Sequence, residues 1–160
     1  MKSEFIQIRV SGEEKSRLVQ QASRAGMDLS SYLLAAVSRN VGEKFLAIVD
    51  SLRTSQRSQL ELAELNDLLS AMSGDELTTL PKPVFAGLSD FLCNYIAGSV
   101  EFAAGRVRAS APGWTRDVPP LGEPVFASTL LSLRPYLLRV SPPPFKSRNI
   151  FVDSTIGSRV

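Results

Sequence analysis

The chain has 160 residues, 44% hydrophobic and 21% charged, with a net charge of only +2, a usage in which burial can offset the entropy of ordering most of the chain. It contains no histidine and a single cysteine, Cys93, which excludes a Ser-His-Asp triad, a Cys-His pair, histidine metal ligands and an internal disulfide. No GxxxxGK or GxGxxG phosphate cradle and no GxSxG elbow is present either, so a non-enzyme without metal or cofactor is expected.

The N-terminus, MKSEFIQIRV, alternates and carries charge, without the apolar core of a secretion signal. Together with the lone thiol this points to a cytoplasmic protein. Charge is uneven along the chain: residues 1 to 54 carry 8 Lys/Arg against 6 Asp/Glu, residues 55 to 80 carry 1 against 5, and residues 81 to 160 carry 9 against 5. An acidic segment thus separates two mildly basic ones, a balance that permits nucleic-acid binding without demanding it.

From Phe5 to Val10, Ile6, Ile8 and Val10 fall on one face and Phe5, Gln7 and Arg9 on the other, the period of a short strand. No second strand follows at hairpin distance. A lone strand leaves its amides and carbonyls unpaired, so a partner strand from a second copy is the simplest solution. Ser11-Gly12-Glu13-Glu14 then forms an S-x-x-E capping box, opening a helix over 12 to 25 with Leu18, Val19, Ala22 and Ala25 on its apolar face and Gly26 as its stop. A second helix is expected to be capped by Ser30, with Leu29 and Leu34 spaced as a hydrophobic staple and Leu33, Leu34, Val37 and Val41 along its apolar side, until Gly42 ends or weakens it.

Strand, capped helix, glycine turn and serine-capped helix in this order, IQIRVSGEEKSRLVQQASRAGMDLSSYLLAAV, resemble the ribbon-helix-helix family of bacterial repressors, antitoxins and plasmid-mobilisation proteins. The resemblance implies an N-terminal module over residues 1–42 in which two copies pair their strands into a ribbon that enters the major groove of double-stranded DNA. It further implies that Gln7, Arg9 and Phe5 face base edges, Arg suiting guanine and Gln suiting adenine. Ser30, Ser31 and Lys2 would touch phosphates, the serines at a helix N-terminus where free amides converge, and Ile6, Ile8, Val10, Leu18, Leu33 and Val37 would form the homodimer core.

Residues 43–160 are read as a mostly helical unit of no recognised family, which makes the whole chain mainly α. Phe45, Ile48, Val49 and Leu52 form one stripe and Leu60, Ala63, Leu68 and Met72 a second, with the polar TSQRSQ (54 to 59) as a break between them. Ser73 to Glu76 repeats the capping box. A strongly apolar helix is expected over 84 to 105; it is long enough to span a membrane, but Asp90, Asn94 and Glu101 would be costly in lipid, so a buried helix with Cys93 as an inert packed thiol is preferred. APGWTRDVPPLGEP (111 to 124) reads as a loop holding Trp114. Pro124 is expected to open a helix through Leu130, Leu131, Leu133, Tyr136, Leu137 and Leu138, with Pro135 as a break or kink, followed by extended Ser141 to Pro144 and a strand at Asn149 to Val152. Lys146, Arg148 and Arg159 are read as scattered surface charges rather than a second basic surface.

The leading functional expectation is a sequence-specific DNA-binding transcriptional repressor of antitoxin type, dimeric or of higher order on DNA, whose residues 43–160 grip a cognate toxin or other protein. The alternative within DNA binding is an accessory protein of plasmid mobilisation, a relaxosome component. An alternative of another class is a structural interaction protein in which the ribbon only dimerises.

Overall fold

The computed structural model describes residues 7–55 and 58–153. The chain divides into two compact units, Met1–Asn40 and Val41–Val160, and the division falls inside a helix.

In the first unit, Gln7 to Val10 carry no regular secondary structure and are exposed, while Ile6 and everything before it lie outside the described residues. Helix α1 spans Gly12–Arg24. Its capping box closes as the spacing predicts: the Glu14 amide donates to Ser11 Oγ at 3.2 Å and the Ser11 amide donates to Glu14 Oε2 at 2.8 Å. The Ser11 amide and, less strongly, the Ser11 hydroxyl both donate to Glu14 Oε2 and hold that carboxyl below its usual range. At the other end Gly26 adopts φ +66°, the left-handed conformation glycine enters without a Cβ penalty. That lets the Met27 amide reach back to Ala22 O and the Gly26 amide to Ser23 O, satisfying two terminal carbonyls.

Helix α2 covers Leu29–Ser51, so Gly42 does not end it. Gly42 is buried, and a Cβ there would meet the Pro81 ring at 3.3 Å, so its lack of a side chain serves close packing within the second unit. The cap expected at Ser30 is instead supplied by Asp28, whose Oδ1 accepts the Ser31 amide at 3.0 Å and whose Oδ2 accepts the Ser31 hydroxyl at 2.6 Å. A carboxylate is the stronger acceptor and complements the helix dipole.

The second unit is built around helix α5, Asp90–Arg106, in which Asn94 to Val100 are all buried. One side meets Phe45, Ile48, Val49 and Leu52 of α2, Leu65, Leu69 and Met72 from α3 (Gln59–Ala71) and its end, Leu77 of α4 (Gly74–Thr78), and Trp114. The other side meets Phe145, Ile150 and Val152 through Tyr95. Gly98 permits this second contact, since a Cβ there would lie 3.1 Å from the Phe145 ring. Of the expected stripe on α3, Met72 is buried in the core and Leu68 packs against it, whereas Leu60 and Ala63 point to solvent and Leu65 and Leu69 fill the core in their place. The face that meets α5 is thus turned so that it keeps the C-terminal half of the expected stripe and leaves its N-terminal half in solvent.

Helix α5 also starts later than the apolar run. Gly87 at φ +84° turns the chain, and Ser89 caps the helix by accepting the Leu92 amide. No helix among the described residues is long and apolar enough to cross a membrane. The loop from 111 winds into a 3-10 turn at Gly113–Asp117 that buries Trp114, whose Nε1 donates to Leu80 O at 2.9 Å. The helix expected from Pro124 is not formed at that point. Val125–Phe126 is a strand, β1, pairing in parallel with β2, Ile150–Phe151, and a 3-10 turn precedes α6, Arg134–Val140. Pro135 marks a break rather than a kink: it sits in the first turn of α6, where no intrahelical N–H is needed. For the same reason Pro143 and Pro144, expected to be extended, open the short helix α7, Pro143–Lys146.

Candidate nucleic-acid interface

All candidate DNA-contacting residues belong to the first unit, and four of them are described: Gln7, Arg9, Ser30 and Ser31. Gln7 and Arg9 are exposed just before the Ser11 cap. An exposed guanidinium and carboxamide two residues apart can donate to, and in the carboxamide's case also accept from, a ligand's polar edge. Lys2, Phe5 and Ile6 lie outside the described residues.

Ser30 and Ser31 occupy the first turn of α2, but Asp28 stands at that helix end. The Asp28 carboxyl is held below its usual range, first by the Ser31 hydroxyl and then by the Ser31 amide. It is therefore ionised at neutral pH and places a negative charge where an anion would approach. This residue is missed when the search looks only for a serine cap; the D-x-x-S spacing of Asp28 and Ser31 is the local signal that identifies it.

The residues assigned to a dimer core lack a core within one copy. Ala22 is the buried residue of α1, and Tyr32 Oη bridges to Gln21 Oε1 at 3.2 Å across the two helices. Leu18 and Leu33 are half-buried, whereas Ile8 is 66%, Val10 45% and Val37 60% exposed. An uncovered apolar set of this kind is what a second surface would remove from water.

In the second unit, Arg148 is not a surface charge. It is 5% exposed, and its Nη2 donates to Glu101 Oε1 at 2.6 Å and Thr115 O at 2.7 Å, its Nε to Glu101 Oε2 at 3.2 Å, and its Nη1 to Asn94 Oδ1 at 3.2 Å and Val118 O at 3.3 Å. The guanidinium is thus consumed internally, in the forked geometry that distinguishes Arg from Lys. Lys146 donates to Arg139 O, and Arg159 lies outside the described residues. Cys93 is half-buried, and burial followed by the nearby Asp90 charge pushes its thiol up, away from the reactive thiolate. Among the described residues no group of three His, Cys, Asp or Glu could hold a metal ion.

No curated protein and no solved structure matches the chain. Residues 1–74 match the model of a protein family, NikA-like, described as mobilization protein NikA. The match takes in the whole first unit and continues through α2 and α3, and over this length the chain is similar to a plasmid-mobilisation protein.

Proposed function

We propose that this chain is a DNA-binding accessory protein of plasmid mobilisation that acts as a homodimer through its first unit. The observation that carries the reading is the match of residues 1–74 to a mobilization protein, over the stretch that also holds Gln7, Arg9 and the uncovered apolar set. The match favours this reading over the antitoxin-type repressor expected first, for which it offers no support.

In this reading the segment from Phe5 to Val10 pairs with its copy in a second chain. A first unit of this size buries little surface alone, and very small units generally need a partner, metal or disulfide to hold together; covering Ile8, Val10 and Val37 supplies the missing burial. Gln7, Arg9 and Phe5 then project into the major groove. A phosphate at the α2 N-terminus must compete with the Asp28 carboxylate for the Ser30 and Ser31 donors, so this anchor is weaker than one offered by an uncharged cap. Lys2 adds a point charge for a backbone phosphate. The second unit is left to bind other proteins of the transfer assembly.

The test is binding of the wild type and of Gln7→Ala/Arg9→Ala, at two salt concentrations, to DNA from a mobilisation origin and to random DNA of equal length. Each lost base contact is expected to reduce discrimination by about 1–3 kcal/mol, while the salt dependence, set by phosphates, changes little. Wild-type binding without preference for the origin DNA, unchanged in the variant, would refute base readout. A folded dimer that binds neither DNA would leave the first unit as a dimerisation device alone.

A further inference from the structure

The stretch of the second unit that carries α6 hides little of itself. Leu137 is the buried residue of that helix, whereas all seven residues from Leu130 to Tyr136 are exposed, Leu130 at 60% and Leu131 at 67%. Leu138 is exposed as well. Single exposed leucines are ordinary on protein surfaces, but four leucines and a tyrosine exposed within nine residues form an apolar patch. Exposure at successive positions, through the 3-10 turn at Leu131–Leu133 and into α6, means that this turn projects from the unit; the floor of a groove would alternate between buried and exposed.

The patch is set among cations. From Pro124 to Val152 the sequence contains no Asp or Glu. Arg134 lies over the Phe126 ring, 4.9 Å from its centroid, which orients its charge without neutralising it. Arg139 is exposed beside Leu138, and neither arginine enters an ion pair among the described residues. Half-buried Lys146, whose Nζ donates to Arg139 O, adds a third positive charge. The carboxylate at the edge of the patch is Asp153, which accepts from the Tyr136 hydroxyl at 3.0 Å. One negative charge thus stands against three positive ones, and Arg148 takes no part because it is spent on Glu101.

We propose that the Leu130 to Arg139 turn docks the second unit on an anionic lipid surface. Leu130, Leu131 and Leu138 enter the boundary between headgroups and acyl chains, while Arg134 and Arg139 lay their stems along the leucines and keep their charges among the headgroups. The occupant of this patch has to supply apolar volume and an excess of negative charge together. DNA supplies the charge without the apolar layer. A second copy placed patch to patch would set cations against cations. A protein groove must match a projecting turn and fix its register, commonly with charges of both signs, and the patch offers an excess of one. An anionic bilayer carries uniform charge over an apolar layer and yields around the turn. Attachment of this kind needs no membrane-crossing helix, and it stands whether or not the first unit binds DNA.

The test is flotation of the full-length protein with vesicles of mixed phosphatidylserine and phosphatidylcholine, and with vesicles of phosphatidylcholine alone. The wild type is expected to float with the mixed vesicles, to stay behind with phosphatidylcholine alone, and to be released as salt screens its charges. Leu130→Ser/Leu131→Ser should weaken binding at least about tenfold, roughly what full burial of a single leucine contributes. Arg134→Gln/Arg139→Gln should weaken it about 30-fold, from about fivefold for each arginine. All four side chains are exposed, so both variants keep their fold, as circular dichroism and Trp114 fluorescence will report. The cations of the first unit are untouched in both, so vesicle binding through that unit survives in them; equal binding by the wild type and the leucine variant would overturn the proposal. A wild type that ignores every vesicle would overturn it too, leaving the patch to a second copy if the leucine variant sediments lighter and to an acidic protein partner if the two masses agree. DNA binding measured on the same samples reports on the first unit separately, so either reading can fail without the other.

Discussion

Replacing Arg148 by Met should destabilise the second unit by about 3–4 kcal/mol. Removing one partner of a buried ion pair costs roughly 3–5 kcal/mol, because the other charge is left desolvated. The Glu101 side chain is 21% exposed against 6% for Arg148, so water recovers part of the loss and the lower half of that range applies. The carbonyls of Thr115 and Val118 and the Asn94 amide oxygen lose a donor at the same time. Arg148→Lys keeps the charge but has three donors on a flexible stem in place of five in a plane, and should lose at least half as much. Arg148→Met/Glu101→Leu leaves no unpaired charge and should recover a large part of the stability. The assay is urea unfolding followed by Trp114 fluorescence, which reports the second unit because the only tryptophan is buried there. With m of roughly 1–3 kcal/mol/M, the midpoint of Arg148→Met should fall by about 2 M. A loss below about 1 kcal/mol for Arg148→Met, or a double variant no better than the single one, would refute the view that this ion pair organises the packing of α5 against the loop at 115–121.

Trp114→Phe removes the Nε1 bond to Leu80 O and leaves that carbonyl without its donor; a loss of about 1–3 kcal/mol is expected by circular dichroism in urea, and a neutral substitution would show that ring packing alone holds the turn. Acid should act on the first unit through Asp28 and Glu14. Both carboxyls are held below their usual range by hydrogen bonds they accept as anions, so their contribution is complete above the ordinary carboxylate range and is lost as pH falls through the lowered values. Helicity assigned to α1 and the start of α2 by amide hydrogen exchange should therefore persist until strongly acidic pH in the wild type. Asp28→Asn combined with Glu14→Gln should flatten that dependence, and an unchanged profile would deny the caps their role.

What the residues determined by themselves was local. The boxes at Ser11/Glu14 and Ser73/Glu76 join groups three residues apart, and the stripe of Phe45, Ile48, Val49 and Leu52 needs only helical periodicity to appear. Gln7 and Arg9 likewise stood out by alternation alone, although Gln7 to Val10 carry no regular secondary structure. The tertiary structure decided whatever depends on a choice between competing or distant groups. Ser30 and Asp28 are both plausible caps, and the carboxylate takes the Ser31 donors because it is the better acceptor. Pro135 and Pro143 interrupt a helix or begin one according to where the preceding turn ends, and here both stand in the first turn. Arg148 looked like any surface cation; only the fold brings Glu101, 47 residues earlier, to its guanidinium and shuts that guanidinium from water. Local hydrogen bonds are encoded in spacing, whereas burial is a property of the assembled surface, and a charge is known to be internal only when the elements that enclose it are in place.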